Sequence, residues 1–265
     1  MQRLLSIEWY KIRYYKTFWI LLGLFVLGMF CLNYLVFGMN VKVKTQAGEQ
    51  NADLILGHPY SYPDIWHTVS FMSGYLLFLP GLIIITLMTN EYTYRTHRQN
   101  IIDGWTRLQF IGVKLIWALI LTVISTLVAL AVVLWLGGLG TTPFGFTKVE
   151  FLGYFFLEAL SYMTIALLLA ILLKRAGLAI ALFFLYIMIL KNSIAWLIDH
   201  LTSSNAGNYL PMKSADALLP FPFIKDLAKA IMQPPPPAST LIVVSLVYLG
   251  LFIWAVIGIF QKADL

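Results

Sequence analysis

Six long apolar stretches alternate with shorter polar segments along the chain. Each stretch holds about 20 or more residues with few charges, the length that an α-helix needs to cross the hydrocarbon core of a bilayer. The first stretch is too long for the apolar part of a signal peptide, and no small-residue cleavage site follows it. The pattern predicts an all-α integral membrane protein with a single transmembrane domain, residues 1–265, and six spans at 17–39, 66–89, 108–137, 149–173, 177–198 and 240–260.

The composition supports this class. Hydrophobic residues make up 60% of the chain and charged residues 11%, against about 45–50% and 25% in soluble domains. The net charge of +6 is spread along the chain and does not form one basic patch with interleaved aromatic residues, so nucleic acid is excluded as a partner. The single cysteine, Cys31, lies within the first span and allows no intramolecular disulfide.

The polar segments differ in their basic residues. Segments 1–16, 90–107 and 174–175, together with Lys114 and Lys262, carry most of the 18 Lys and Arg residues. Loops on the cytoplasmic side carry an excess of Lys and Arg. We therefore expect these segments and both termini in the cytoplasm, in a plasma membrane, with a bacterial inner membrane as the expected case.

The N-terminal segment 1–16 has no Pro or Gly and is predicted to be a helix. One apolar stripe at helical spacing consists of Leu5, Trp9 and Ile12, and a second contains Tyr10 and Tyr14. An aromatic, basic helix of this kind is typical of the membrane interface. The alternative is a charged flank that only orients the first span.

The long segment 199–239 is expected outside the membrane, between the fifth and sixth spans. Its prolines, among them the run Pro234–Pro237, cannot lie inside a regular helix, and the run predicts a polyproline II spacer. A Pro-rich ligand for a partner domain is the alternative. Residues 223–231 repeat apolar positions at helical spacing and predict a short amphipathic helix at the outer leaflet. Within the second span, Pro80-Gly81 predicts a kink.

Two charged residues fall inside predicted spans, Glu158 in the fourth and Lys191 in the fifth. At 1.5 Å per residue they lie roughly 14 Å and 10 Å below the outer ends of antiparallel neighbours. Since an unpaired charge in lipid is costly, we predict that they form an intramembrane charge pair. The alternatives are a Lys191 that reaches the outer headgroups, and a Glu158 that is protonated, faces water or relays protons.

The polar segment 90–107 has internal order that a simple loop does not need. Asn90 is a candidate helix cap, and the run Tyr92 to Ile102 has no Pro or Gly, which predicts one helix of about three turns. Asp103-Gly104 is a stop-and-turn signal. The alternative is an ordinary loop whose basic residues fix the topology.

The residues of this segment carry a resemblance to a known family. Glu91-Tyr92, Arg95-Thr96, Arg98-Gln99-Asn100, Gly104 and Arg107, followed by Lys114, resemble the cytoplasmic segment of ATP-binding-cassette permeases of the type-2 exporter class. The interfacial N-terminal helix, the six spans and the Lys-Ala-Asp-Leu tail extend the resemblance over the whole chain. The chain departs from the family pattern at Arg95, where Gly is common, and at Trp105, which separates Gly104 from Thr106-Arg107.

The resemblance implies that segment 90–107 contains a coupling helix that docks into an ATPase subunit. The residues implied for docking are Glu91, Tyr92, Arg95, Thr96, Arg98, Gln99, Asn100, Asp103, Gly104 and Arg107. It also implies alternating access, two ATPase copies that hold the ATP and magnesium, a second permease copy or related permease, and contact with membrane lipids. Arg95, Arg98 and Glu91 are the expected contacts, whereas Arg107 and Lys114 are alternatively anchors at the headgroups.

The sequence has no Gly-x-x-x-x-Gly-Lys-Ser/Thr loop and none of the common hydrolase or metal motifs. We therefore expect no catalytic residues, no metal site and no cofactor in this chain, and ATP hydrolysis by a partner. The predicted function is the transmembrane subunit of an ATP-driven exporter. Two other classes remain: an ion-gradient-driven six-span carrier or channel, and a non-transporting membrane anchor for an ATPase.

Overall fold

The computed structural model describes residues 2–47, 59–139, 143–223 and 236–262, and every regular element in these ranges is helical. This confirms the predicted all-α class. The helices in chain order are α1 Gln2–Arg13, α2 Lys16–Ala47, α3 Ile65–Gly74, α4 Phe78–Thr93, α5 Thr96–Ile102, α6 Arg107–Gly138, α7 Glu150–Leu173, α8 Ala176–Thr202, α9 Lys213–Asp216 and α10 Ala238–Lys262.

Five helices in the described ranges are long and apolar enough to cross a membrane: α2, α6, α7, α8 and α10. Helices α3 and α4 make up to a sixth crossing if they count as one span, because they meet at a 42° bend. These elements fall at the six predicted stretches. The largest difference in bounds is at α2, which continues to Ala47, eight residues past the predicted end at 39.

The bend in the second span lies at residues 75–77, before the predicted position at Pro80-Gly81. Pro80 is the third residue of α4, where the backbone N–H has no acceptor within the helix, so proline causes no break there. Gly81 serves packing instead. A Cβ atom at this position would lie 2.4 Å from the ring of Phe183 in α8, so only glycine allows this close approach.

Helix α7 lies at the centre of the bundle. In its most apolar window 67% of the residues are buried, against 17% in α2 and in α10. It packs against α3, α4, α6, α8 and α10. The outer helices instead expose large apolar side chains such as Leu27, Val247 and Trp254, as surfaces in contact with lipid do.

The segments predicted to be cytoplasmic meet at one end of the bundle. There Lys11 of α1 contacts Glu91 of α4, Lys174 lies over the ring of Tyr92 at 5.7 Å, and Arg107 donates a hydrogen bond to the carbonyl of Gln261. We call this the α5 end. An even number of crossings returns the chain to the side on which it began, so six spans require the N-terminal and C-terminal segments to lie at the same end.

At the opposite end, Lys148 Nζ lies 2.5 Å from Asp64 Oδ1, and Trp66 Nε1 donates to the Gly145 carbonyl at 2.9 Å. Asp64 directly precedes α3, Trp66 is its second residue, and Gly145 and Lys148 lie in the segment that precedes α7. With six spans and both termini in the cytoplasm, these two segments are expected to be external.

The described part of the 199–239 segment folds back onto the bundle. The Tyr186 hydroxyl donates to the Pro211 carbonyl at 3.1 Å, and Ser245 of α10 donates to Ser214 of α9 at 3.0 Å. The predicted amphipathic helix at 223–231 lies outside the described residues except for Phe223, and so do Pro234 and Pro235, the first half of the proline run. Residues 140–142 and the end of the tail lie outside them as well.

Candidate functional site

The polar segment after α4 is divided by a left-handed residue. Arg95 has φ 56° and ψ 20°, so α4 ends at Thr93 and α5 begins at Thr96. The predicted single helix from Tyr92 to Ile102, capped by Asn90, is therefore wrong, because Asn90 and Tyr92 still belong to α4. Neither Pro nor Gly marks the break in the sequence. The break falls at the position where the resembled family commonly has glycine, the residue that adopts this conformation most readily.

One face of α5 is held against the end of α4. The Thr96 hydroxyl donates to Glu91 Oε2, and His97 Nδ1 lies 2.7 Å from the Glu91 backbone carbonyl. Asn100 is also buried, and its carbonyl accepts from the Trp105 N–H at 3.0 Å. A helix of this length is not stable alone in water, so these contacts fix its position.

The other face of α5 is open. Arg95, Arg98 and Gln99 are exposed, and the apolar side chains of Ile102 and Tyr94 are 83% and 74% exposed. We call these five residues the α5 outer face. It combines two guanidinium groups with an unpartnered apolar residue, the composition of a small protein interface.

The ten predicted docking residues therefore divide into two groups. Arg95, Arg98, Gln99, Asp103 and Gly104 are exposed, whereas Glu91, Tyr92, Thr96, Asn100 and Arg107 are buried or half-buried. Glu91 is only 5% exposed, so its carboxylate is occupied inside the protein. Sequence reasoning missed Tyr94 and Ile102, since their exposure follows from the break at Arg95.

The predicted turn after α5 is present. Gly104 has φ 98°, a value that favours glycine, and α6 then begins with a capping box. In this box Gln109 N–H donates to Thr106 Oγ1 at 3.1 Å, and Thr106 N–H donates to Gln109 Oε1 at 2.9 Å. The turn and the cap set the direction in which the chain enters α6.

Four charged residues connect α1, α4 and α6 directly beneath α5. Lys114 Nζ lies 2.6 Å from Glu8 Oε2 and 3.0 Å from Glu91 Oε1. Lys11 Nζ lies 2.9 Å from Glu8 Oε1 and 3.1 Å from Glu91 Oε1. We call these four residues the ion network. Its two carboxylates and two ammonium groups balance, which lowers the cost of burying them.

Lys114 is 4% exposed and is therefore not the headgroup anchor that the sequence offered as an alternative. Lys11 lies at the edge of the network. Partial burial works to lower the pKa of Lys11, but the carboxylates of Glu8 and Glu91 outweigh it and raise that pKa above its usual value. The ammonium group thus stays charged at neutral pH.

Glu8 was missed by sequence reasoning, although a signal is present. It is the acidic residue of a basic segment and shares a helical face with Leu5 and Ile12. In the structure this face, with Ile12 1% and Glu8 2% exposed, packs on the bundle. Trp9 at its margin stacks on Trp117 of α6, with ring centroids 6.0 Å apart. Tyr10 and Tyr14, which form the second predicted stripe, are exposed.

The second predicted site lies in the half of the bundle far from α5. The ion pair formed there is Lys191 with Asp216, whose Oδ2 lies 2.5 Å from Lys191 Nζ, and Lys191 also donates to the Tyr162 hydroxyl. The predicted direct pair of Glu158 with Lys191 is thus corrected. Asp216 comes from the segment that folds back after α8, a placement that hydropathy does not indicate. Glu158 is buried beside the pair.

Among the described residues, no group of three or more His, Cys, Asp or Glu side chains is arranged to hold a metal ion.

Comparison with protein families gives one match. Residues 4–190 fit the family described as ABC-2 family transporter protein. The matched range runs from α1 into α8 and includes the ion network and the α5 outer face. A comparison with curated proteins found no match.

Proposed function

The chain belongs to the ABC-2 transporter family, whose model covers well over half of its residues, and from this we propose that it is the transmembrane subunit of an ATP-driven exporter. The family is one of membrane components that pair with an ABC ATPase subunit. The bundle of apolar helices suits a multi-pass membrane protein, and the substrate pathway belongs to this bundle in our proposal. ATP and magnesium are held by the partner.

The observation that carries the proposal is the geometry of α5. Its outer face offers Arg95, Arg98 and Ile102 to a partner, while its inner face is fixed by Glu91, Thr96 and His97. A helix that transmits force needs both properties, because a loosely held helix moves without moving the bundle. We propose that the α5 outer face docks on the ATPase.

The ion network extends this contact into the bundle. Glu91 lies in the last turn of α4, the helix that leads into α5. Its carboxylate contacts Lys11 of α1 and Lys114 of α6, and Lys114 also contacts Glu8. Movement of α5 therefore pulls on two neighbouring helices at once. In our proposal Glu91 is a positioning residue within the coupling device and does not itself contact the ATPase.

The remaining parts of the proposal concern the assembly. Two ATPase copies act on two permeases, identical or related, and the α5 end faces the cytoplasm. The exposed Tyr10 on α1 and Tyr14 directly after it suit the headgroup region, where aromatic rings are favoured. ATP-driven closure of the ATPase pair then alternates access to a pathway between the permeases, in the direction of efflux.

The test is the purification of the tagged protein from its native membrane. We expect an ATPase with a phosphate-binding loop to copurify, and to hydrolyse ATP in the complex. Arg98→Glu places a negative charge on the α5 outer face and is expected to reduce the recovered ATPase at least tenfold, because like charges opposed across an interface cost several kcal/mol.

Arg175→Glu is the matched control. Arg175 is exposed at the same end of the molecule, in the turn between α7 and α8, and lies outside the α5 outer face. It should leave the yield of ATPase unchanged. Equal loss with both variants, or no ATPase in the native complex, contradicts the proposal.

A further inference from the structure

A cavity of about 630 Å³ lies in the half of the bundle far from the α5 end. Its walls come from the end of α3, from α7, from the second half of α8 and from the segment that folds back around α9. The proposed coupling device makes no use of it. Its lining combines buried charged groups with aromatic rings, a combination that structural packing alone does not require.

One ion pair in the lining is complete. Lys191 Nζ contacts Asp216 Oδ2 at 2.5 Å and donates to the Tyr162 hydroxyl, which in turn donates to Asp216 Oδ1 at 3.3 Å. The only other lysine among the lining residues, Lys213, lies towards solvent and donates to Asn192 Oδ1 at 2.9 Å. Neither ammonium group is therefore engaged directly with the second acid of the cavity.

That second acid is Glu158, which is 5% exposed and lines the cavity. Its Oε2 accepts no hydrogen bond from a donor among the described residues, and the side chain lies within hydrogen-bonding reach of the Asp216 carboxyl group. Two acids therefore share the one ammonium group of Lys191. Gly74, the last residue of α3, makes room for the carboxyl group, since a Cβ there would lie 3.0 Å from Oε1. The C-terminal end of a helix carries partial negative charge, so the setting of Glu158 favours a cation.

Three aromatic rings line the same cavity. Phe71 contacts Tyr75 and Phe221 edge to face, with centroids 5.4 Å and 5.6 Å apart, and all three rings line the cavity. An aromatic lining around a buried carboxylate is the chemistry that recognises an organic ammonium group, because the ring faces and the acid both attract positive charge.

We propose that this cavity binds an organic monocation, an amine or quaternary ammonium with an apolar body, with its charged group beside Glu158. This cation is the exported cargo only if the proposed function holds, so that part of the inference rests on it. Binding itself needs no ATPase and is tested without one.

The experiment uses the purified full chain in lipid nanodiscs and two fluorescent probes. Dansylcadaverine carries one primary ammonium group, and its N-acetylated form has the same fluorophore and no charge. Dansyl polarisation gives the affinity. We expect the wild type to bind the charged probe at least tenfold more tightly than the neutral one, and Glu158→Gln to remove this preference.

Glu150→Gln is the matched control, since Glu150 is exposed at the start of the same helix and outside the cavity. It should bind both probes as the wild type does. Phe221→Ala, at the half-exposed rim, should weaken the binding of both probes, and that of the charged probe more. This variant tests the cavity if Glu158→Gln does not fold.

Equal affinity of the wild type for the two probes overturns the proposal and leaves Glu158 as a protonated acid. An unchanged preference in Glu158→Gln, or unchanged binding in Phe221→Ala, overturns the assignment to this cavity. Charge-selective binding by a protein that brings no ATPase with it from its native membrane supports the cavity and contradicts the proposed function, so the two failures are distinguishable.

Discussion

Lys114 contacts both carboxylates of the ion network from a buried position. Its ammonium group lies 2.6 Å from Glu8 and 3.0 Å from Glu91, and the three side chains are all at most 6% exposed. Removal of one partner leaves buried charge uncompensated, which costs more than the pair itself contributes. At the residue scale the coupling device therefore depends on a complete set of charges.

We predict that Lys114→Met lowers the stability of the protein by about 3–5 kcal/mol. The double variant Glu8→Met/Lys114→Met should recover part of this loss, because it removes one charge of each sign and leaves Lys11 with Glu91. The stabilities of both variants are measured by thermal unfolding in detergent, with size-exclusion chromatography as the readout of folded protein.

Lys16→Met is the control, since Lys16 is exposed just before the first span. Lys16→Met should change the stability of the protein very little. A double variant that is less stable than Lys114→Met alone would argue against a shared network.

Sequence reasoning singled out Glu91, Lys114, Glu158 and Lys191, but it paired Glu158 with Lys191 and gave Glu91 and Lys114 no partner within the chain. The sequence shows that each of these charged residues lies within or next to an apolar stretch. The partners, Glu8 and Asp216, lie far away along the chain, and only the packing of α1 and of the segment after α8 brings them near. The periodicity of apolar residues predicts which face of a helix is buried, but not which other element packs against that face.

At the scale of the element, Arg95 separates α4 from α5. A left-handed conformation costs roughly 1–2 kcal/mol for a residue with a Cβ atom and nothing for glycine. The structure maintains it at Arg95 because Thr96 and His97 are held by Glu91 on the other side of the break. The orientation of the α5 outer face follows from this one residue.

We predict that Arg95→Val loosens α5 whereas Arg95→Gly does not, because a β-branched residue is the least suited to φ 56°. Hydrogen exchange of residues 96–102, followed by mass spectrometry, should show roughly tenfold or greater loss of protection in the valine variant only. Both variants remove the guanidinium group, so each serves as the control for charge in the other. Equal exchange in the two would show that the break does not position α5.

The long helices could be predicted from the sequence, whereas the positions of two breaks between helices could not. Apolar runs of membrane-spanning length placed α2, α6, α7 and α10 within a few residues, except at the end of α2. The bend at 75–77 and the left-handed Arg95 have no Pro or Gly at their centres to mark them. They arise from contacts between helices, which override local preference.

At the scale of the whole molecule, the proposal requires the α5 end to face the cytoplasm. The two ends of the bundle differ in the residues they expose. Ile102 is 83% exposed at the α5 end, and Phe146 is 68% exposed at the other. Each is a site at which a cysteine can be introduced with little effect on packing.

We predict that, in a Cys31→Ala background, a membrane-impermeant maleimide labels Phe146→Cys but not Ile102→Cys in intact cells. After permeabilisation both should be labelled. Cys31 is exposed on the first span and must be removed for the signal to be unambiguous. Labelling of Ile102→Cys alone in intact cells would reverse the orientation and remove the proposed docking surface from the cytoplasm.

Helix α8 contains one π turn, at Tyr186–Leu190, immediately before Lys191. A π turn accommodates an extra residue, and each residue of an α-helix turns the chain by about 100°. Wound as an uninterrupted α-helix, the same sequence would swing Lys191 through more than a quarter of a rotation, away from Asp216. Deletion of one apolar residue from this turn would therefore leave a regular α-helix with Lys191 still beside its acid, whereas one inserted residue would leave the hydropathy profile nearly unchanged and rotate the paired ammonium away.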